Sequence, residues 1–223
     1  MYLRISYTCD SASPRFPGNP ENQVRKVLSI DRGDVCNAAE VFLFNHNGTH
    51  IDLPNHYHAG GRRLAEFDIA DFIFERPVLV RVEIGVGEDI TASMLEPFRE
   101  QIEGKDLLLL RTGFGARRSH SEYTNNPYLT LDAARFLKSI HGLRAIGIDF
   151  LSVTNPEMKE LGHEVHRILL GDLPDRKPVM IIEDMDLSRE AVIAGFRRVF
   201  AIPLFFEEVD GMPCTVFGEY GTS

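Results

Sequence analysis

The chain has 223 residues, 43% hydrophobic and 26% charged, which supplies apolar material for a full core and matches an ordinary globular protein. A net charge of −9 with no basic run longer than a pair excludes nucleic acid and anionic membrane as partners. The longest purely apolar run in the middle of the chain, "LLLL" at 107–110, falls far short of the ~20 residues that span a bilayer.

In chain order, the opening "MYLRISYTCD" has no apolar stretch long enough for a signal peptide, which predicts a cytoplasmic protein. Cys9, Cys36 and Cys214 are odd in number, scattered and without a CxxC pair, and read as reduced thiols with no catalytic role. Apolar, β-branched runs predict strands at "EVFLF" (40–44) and "PVLVRVEI" (77–84), followed by helical periodicity at "TASMLEPF" (91–98). "DLLLLRT" (106–112) reads as a strand and "LTLDAARFLKSIHG" (129–142) as a helix. In that helix Thr130 can cap the start, Ala133, Phe136, Leu137 and Ile140 share a face, and Gly142 can end it. A strand at "RAIGID" (144–149), a helix at "NPEMKELGHEVHRILLG" (155–171), and strands at "PVMIIED" (178–184) and "VFAIPLFF" (199–206) complete the series. Strands and helices alternate through the second half, and no repeat or linker divides the chain. The expectation is one α/β domain over residues 1–223.

The stretch "NHNGTHIDLPNHYH" (45–58) holds four of the eight histidines, His46, His50, His56 and His58, around Asp52. His46 and His50 are four apart, the spacing of an HExxH zinc-protease helix, but Asn47 replaces the glutamate. Gly48, Thr49, Ile51 and Pro54 also make a poor helix. In an extended chain the even-numbered His46, His50, Asp52 and His56 point to one face. A straight strand from His46 to His56 would span roughly 33 Å, too long for one site, so the chain must bend. Gly48 and Pro54 are where bending is easiest. Two imidazoles and a carboxylate with an open position make the composition of a catalytic divalent-metal site. His58 reads as a surface or supporting residue, and the "NGT" glycosylation match at 47–49 as chance.

"HNGTHIDLPNH" resembles the HxGTHxDxPxH signature of the cyclase family, which includes bacterial kynurenine formamidases and isatin hydrolases. It matches at His46, Gly48, Thr49, His50, Asp52, Pro54 and His56. "PRFPGNPE", "LLLLRTGF", "IGIDFLSV", "HRILLG" and "IIEDMDLS" are similar to family segments in the expected order. The resemblance implies a swivelling β/β/α domain, a mixed sheet with flanking helices, assembled as a homodimer or homotetramer. It implies that His46, His50 and Asp52 bind a divalent metal and that His56 shuttles protons. In two-metal members a helix-borne histidine and a strand-borne glutamate are added, here His166 and Glu183, with Glu183 also among the catalytic groups. His163 lies one turn before His166 and competes for the helix-borne role. The surplus stretch "GDLPDRKP" (171–178) is expected as an exposed loop that leaves the site intact.

This ligand set implies one or two ions per chain, Zn2+ or Mn2+, since two histidines and a carboxylate suit both. The implied activity is metal-dependent hydrolysis of a small amide or lactam, with arylformamides such as N-formylkynurenine leading. A metal lowers the pKa of water from ~15.7 towards ~7, and a histidine with a pKa near ~6.5 can move protons at that pH. Alternatives are a cyclase, dehydratase or lactone hydrolase on the same metal, or a non-catalytic metal-binding homologue. Ser152 in "DFLSV" lacks a GxSxG elbow and reads as a structural or polar contact. "GVGEDI" and "GFGARR" lack the third glycine of a dinucleotide fingerprint. Arg111, Arg117 and Arg118 read as solvated or interface residues, and Phe42, Phe44, Phe67 and Phe72 as core.

Overall fold

The computed structural model describes residues 1–171, 177–189 and 195–221. One large mixed sheet organises them. Its order runs Ile73–Phe74, Arg198–Pro203, Gly211–Glu219, His50–Asp52, Met180–Glu183, Ala145–Ile148, Leu107–Arg111 and Pro77–Arg81, with Tyr2–Arg4 pairing the Gly211–Glu219 strand. From Met180–Glu183 to Pro77–Arg81 every neighbour is parallel. His50–Asp52 is antiparallel to both its neighbours, Met180–Glu183 and Gly211–Glu219. This short strand therefore lies at the seam between a parallel and an antiparallel half.

The parallel half shows why continuous apolar runs become strands. Successive side chains point to opposite faces, and a sheet covered on both faces needs apolar residues at every position. Leu108, Leu110, Ile146, Ile148 and Ile181 join one core with Ala133, Leu137, Val165 and Leu169 of the helices Leu131–Ser139 and Lys159–Leu170. Leu107, Leu109, Ala145, Met180 and Ile182 join the other core with Ile51, Phe72, Phe74 and Val199. Each fully buried leucine of this kind contributes ~1.5–3 kcal/mol. The expected mixed sheet with flanking helices is present.

Boundaries differ from the sequence expectation where backbone chemistry intervenes. Thr130 caps its helix as expected, accepting from the Ala133 N–H at 3.4 Å, and the helix ends at Ser139. The 155–171 segment begins with a turn closed by Met158 N–H on the Asn155 carbonyl, so its helix starts at Lys159. The 91–98 segment breaks into Ala92–Leu95 and a 3-10 turn Glu96–Phe98, because Pro97 cannot continue the helical ladder. The strand expected at 40–44 is Ala38–Phe42, paired with Gln23–Leu28 in a hairpin whose strand residues are all exposed. Gly211–Glu219 is the longest strand described and was not expected; Gly211, Pro213 and Gly218 disguise its alternation. Residues 172–176 of the expected "GDLPDRKP" loop lie outside the described residues. No helix among the described residues is long and apolar enough to cross a membrane.

Candidate metal centre

The histidine-rich stretch bends at the two expected places. Gly48 takes φ +69°, a left-handed conformation open to glycine, and turns the chain into the His50–Asp52 strand. Pro54 opens the turn Pro54–His56 on the other side. His46 and His56 thus return towards one another, and their rings stack with centroids 4.0 Å apart. Register then adds Glu183, which sits opposite His50 on the neighbouring strand. His166 arrives from the middle of the Lys159–Leu170 helix.

These side chains converge on Asp52, which is 1% exposed. Its Oδ1 lies 2.8 Å from His46 Nδ1 and 3.3 Å from His50 Nε2, and its Oδ2 3.6 Å from His166 Nε2. Glu183 stands 3.6 Å from His50 Nε2 through Oε2 and 3.8 Å from His166 Nε2 through Oε1. Among the described residues, two groups have ligand atoms close enough to share an ion: His46, Asp52 and His56, and His50, Asp52 and Glu183. Asp52 belongs to both.

The donor set fits a cation. Nδ1–H of His50 donates to the Gly48 carbonyl at 2.8 Å, and Nδ1–H of His166 donates to the Gly162 carbonyl at 2.8 Å. In the neutral rings each Nε2 is therefore a lone pair, and both lone pairs face carboxylate oxygens, which are themselves acceptors. Only positive charge between them makes this arrangement favourable. A proton supplies it one ring at a time. A divalent ion supplies it to all of them at once.

The electrostatics reflect the same crowding. Burial pulls the His46 imidazole down, yet its bonds with Asp210 and Asp52 outweigh burial and raise its pKa to about 10. Burial likewise opposes His50 and His166, and the neighbouring Asp52 carboxylate wins in both, so both are raised. For His56 burial prevails over Asp52 and Asp210, and its pKa is lowered. Asp52, despite burial, is held well below the usual carboxylate range by its histidines. Burial and the Asp52 charge push Glu183 up.

A cleft of about 200 Å³ opens over the cluster, walled by Phe16, Phe44, Tyr57 and Leu151. Phe16 and Asn19 come from the "PRFPGNPE" segment. Ser152 lines the cleft as a polar contact, its Oγ accepting the Thr154 N–H at 3.1 Å. His163 stands in the cleft wall with its side chain 38% exposed, 4.0 Å from Glu160; His166, not His163, reaches the carboxylates. His58 bonds the Arg167 carbonyl, apart from the cluster. Arg111, Arg117 and Arg118 bind the Ser188 carbonyl, Glu122 and Asp184 respectively, away from the cleft. Of the four phenylalanines, Phe67 and Phe72 are core, Phe42 is exposed, and Phe44 walls the cleft.

Sequence reasoning missed two neighbours. Tyr57 stacks on His166 with centroids 4.6 Å apart, and burial raises its pKa to about 12. Asp210 accepts from His56 Nδ1 at 2.6 Å and lies 3.2 Å from His46 Nε2. No local pattern marks Asp210; it arrives because Gly211 pairs with Asp52 across the sheet. A Cβ at Gly211 would come within 2.5 Å of the Ile51 carbonyl and 2.9 Å of His46, so only glycine permits this approach.

The model of the Cyclase family matches residues 3–155. The chain belongs to the cyclase family. Among curated family relatives, it is 29% identical over 214 residues to a kynurenine formamidase of Bacillus mycoides, covering 96% of this chain and 94% of that protein. It is 33% identical over 216 residues to a kynurenine formamidase of a Bacillus cereus strain, covering 95% and 94%. Solved structures establish the fold. Isatin hydrolase A of Labrenzia aggregata superposes with a TM-score of 0.80 at 18% identity, covering 97% of this chain and 92% of that one. A Bacillus stearothermophilus protein described as a predicted metal-dependent hydrolase does so with a TM-score of 0.75 at 22% identity, covering 98% and 97%.

Proposed function

We propose that the chain is a metal-dependent hydrolase of C–N bonds other than peptide bonds, acting on small amides, with arylformamides such as N-formylkynurenine as the leading substrates. The observation that carries this reading is the convergence of the His50 and His166 Nε2 lone pairs on Asp52 and Glu183 at 3.3–3.8 Å beneath an aromatic-walled cleft. Similarity to kynurenine formamidases over 95–96% of this chain supports the substrate class.

His46, His50 and Asp52 would hold one ion, and His166 and Glu183 would complete a second position that shares Asp52. Zinc leads, because an imidazole-rich set suits it, with manganese as the alternative. When bound, such an ion supplies Lewis acidity and makes a water nucleophile available near neutral pH.

The chain's own residues do the rest. Phe16 and Phe44 offer apolar walls to an aryl group. Nδ1 of His56 is engaged by Asp210, which leaves Nε2 as the atom that takes a proton from the attacking water. As the new C–O bond forms and the C–N bond breaks, the same nitrogen returns that proton to the leaving amine. The reading extends to a homodimer or homotetramer. The hairpin Gln23–Leu28 and Ala38–Phe42, which exposes Val24, Val41 and Phe42, supports it. Three cysteines without a disulfide support a reducing cytoplasm.

The test is hydrolysis of N-formylkynurenine and of plain formanilides by the purified chain, with metal content measured on the same sample. Stoichiometric metal with no turnover of any formamide, lactam or lactone would end the hydrolase reading.

A further inference from the structure

Asp210 is the most heavily anchored side chain around the cluster that the metal reading leaves without a task. Its backbone carbonyl accepts the Leu53 N–H at 3.0 Å. Its Oδ1 accepts the Asn45 amide at 2.7 Å. Its Oδ2 takes the His56 Nδ1–H at 2.6 Å and lies 3.2 Å from His46 Nε2. It stands outside the stretch matched by the family model and outside both groups able to share an ion.

The anchoring has a direction. Asn45 fixes one carboxylate oxygen, and the other is left facing the His46–His56 stack, nearer to His56. A carboxylate accepting from Nδ1 keeps the proton on that nitrogen and leaves Nε2 free to exchange protons. The His56 ring is also stacked on His46 at 4.0 Å, so its plane is held by His46 and its rotation about that stack by Asp210. A histidine on a turn, with its side chain 24% exposed, would otherwise sample several rotamers.

We propose that Asp210 is a positioning residue for the reaction: clamped by Asn45, it sets the tautomer and the aim of His56. The proposal rests on the reading of His56 as the proton carrier.

The experiment is a double-mutant cycle on formanilide hydrolysis, with metal content per chain measured for every variant. Asp210→Ala should keep the metal and KM and lower kcat roughly 10–100-fold, the usual cost of removing a residue that orients a functional histidine. The loss should be smaller for 4-nitroformanilide, whose amine leaves with less protonation. In the His56→Ala background, Asp210→Ala should cost nothing further. Asn45→Ala, whose side chain bonds Asp210 and the Gly211 carbonyl rather than either imidazole, should reproduce part of the loss with the same dependence on His56, and it carries the test if Asp210→Ala fails to fold. An Asp210→Ala effect that persists undiminished without His56, or loss of metal in that variant, would make Asp210 part of the metal cluster and overturn the proposal. Full activity in His56→Ala alone is a separate result: it removes the shuttle reading itself.

Discussion

Glu183 and Asp184 are neighbours in sequence, equally charged and both buried, yet the fold treats them in opposite ways. Asp184 is complete. It accepts from Arg118 at 2.7–3.1 Å and from the Tyr123 hydroxyl at 2.7 Å, and its carbonyl accepts the Thr49 hydroxyl at 2.5 Å. Among the described residues the Glu183 carboxylate has one hydrogen-bond donor, the Val153 N–H at 2.8 Å, and otherwise faces two imidazole lone pairs. Burial pushes both carboxyls up, so titration does not separate them. Partners do. A buried carboxylate neutralised by its own chain is structure, whereas one left facing other acceptors marks a place for something the chain lacks.

The largest test of that contrast is metal removal. Chelation should abolish hydrolysis and zinc or manganese should restore it, while the Asp184 cluster, needing no ion, keeps the chain folded by circular dichroism. Full turnover in metal-free protein would erase the distinction.

Next in size, His56→Ala should slow hydrolysis by roughly 10²–10⁴-fold with metal retained, as measured by steady-state kinetics and elemental analysis. Metal loss with unchanged activity per ion would instead make His56 a ligand.

The two neighbours can then be compared directly. Asp184→Ala strands the Arg118 guanidinium over the Tyr7 ring, 3.9 Å away. It should destabilise the fold by about 3 kcal/mol in denaturant melts while leaving metal per folded chain unchanged. Glu183→Ala should do the reverse, losing one of about two ions with a smaller change in midpoint. Equal metal content in the native chain and Glu183→Ala would mean a mononuclear site.

The smallest effect concerns the thiols. Burial pushes Cys214 far above its usual range, whereas Cys36 is exposed. Iodoacetamide at neutral pH should therefore label Cys36 and spare Cys214 until the chain unfolds, as read by mass spectrometry of peptides. Rapid labelling of native Cys214 would show that the Gly211–Glu219 strand opens.

Much of this was legible beforehand, for definable reasons. Leu107–Arg111 and Ala145–Ile148 announced themselves because a strand buried on both faces must be apolar throughout. The bends at Gly48 and Pro54 followed from distance alone: four groups on one extended chain cannot meet without them. His166 and Glu183 came from the resemblance, and the fold brings both to Asp52. Asp210 could not be read, because nothing in its own neighbourhood encodes a pairing between residues 52 and 211. The Gln23–Leu28 strand was hidden too, since a hairpin packed on no core has no reason to alternate polar and apolar residues.

The seam position of His50–Asp52 also has a consequence in time. Both of its neighbours, Met180–Glu183 and Gly211–Glu219, leave the ribosome long after it does. At ~5–20 residues per second, the strand waits on the order of 10–30 s for its second partner, with one backbone edge unpaired. An ion position built with His166 and Glu183 would therefore load only once synthesis has passed residue 183. A ribosome stalled before residue 211 would hold out an open strand edge, the kind of surface on which nascent chains aggregate.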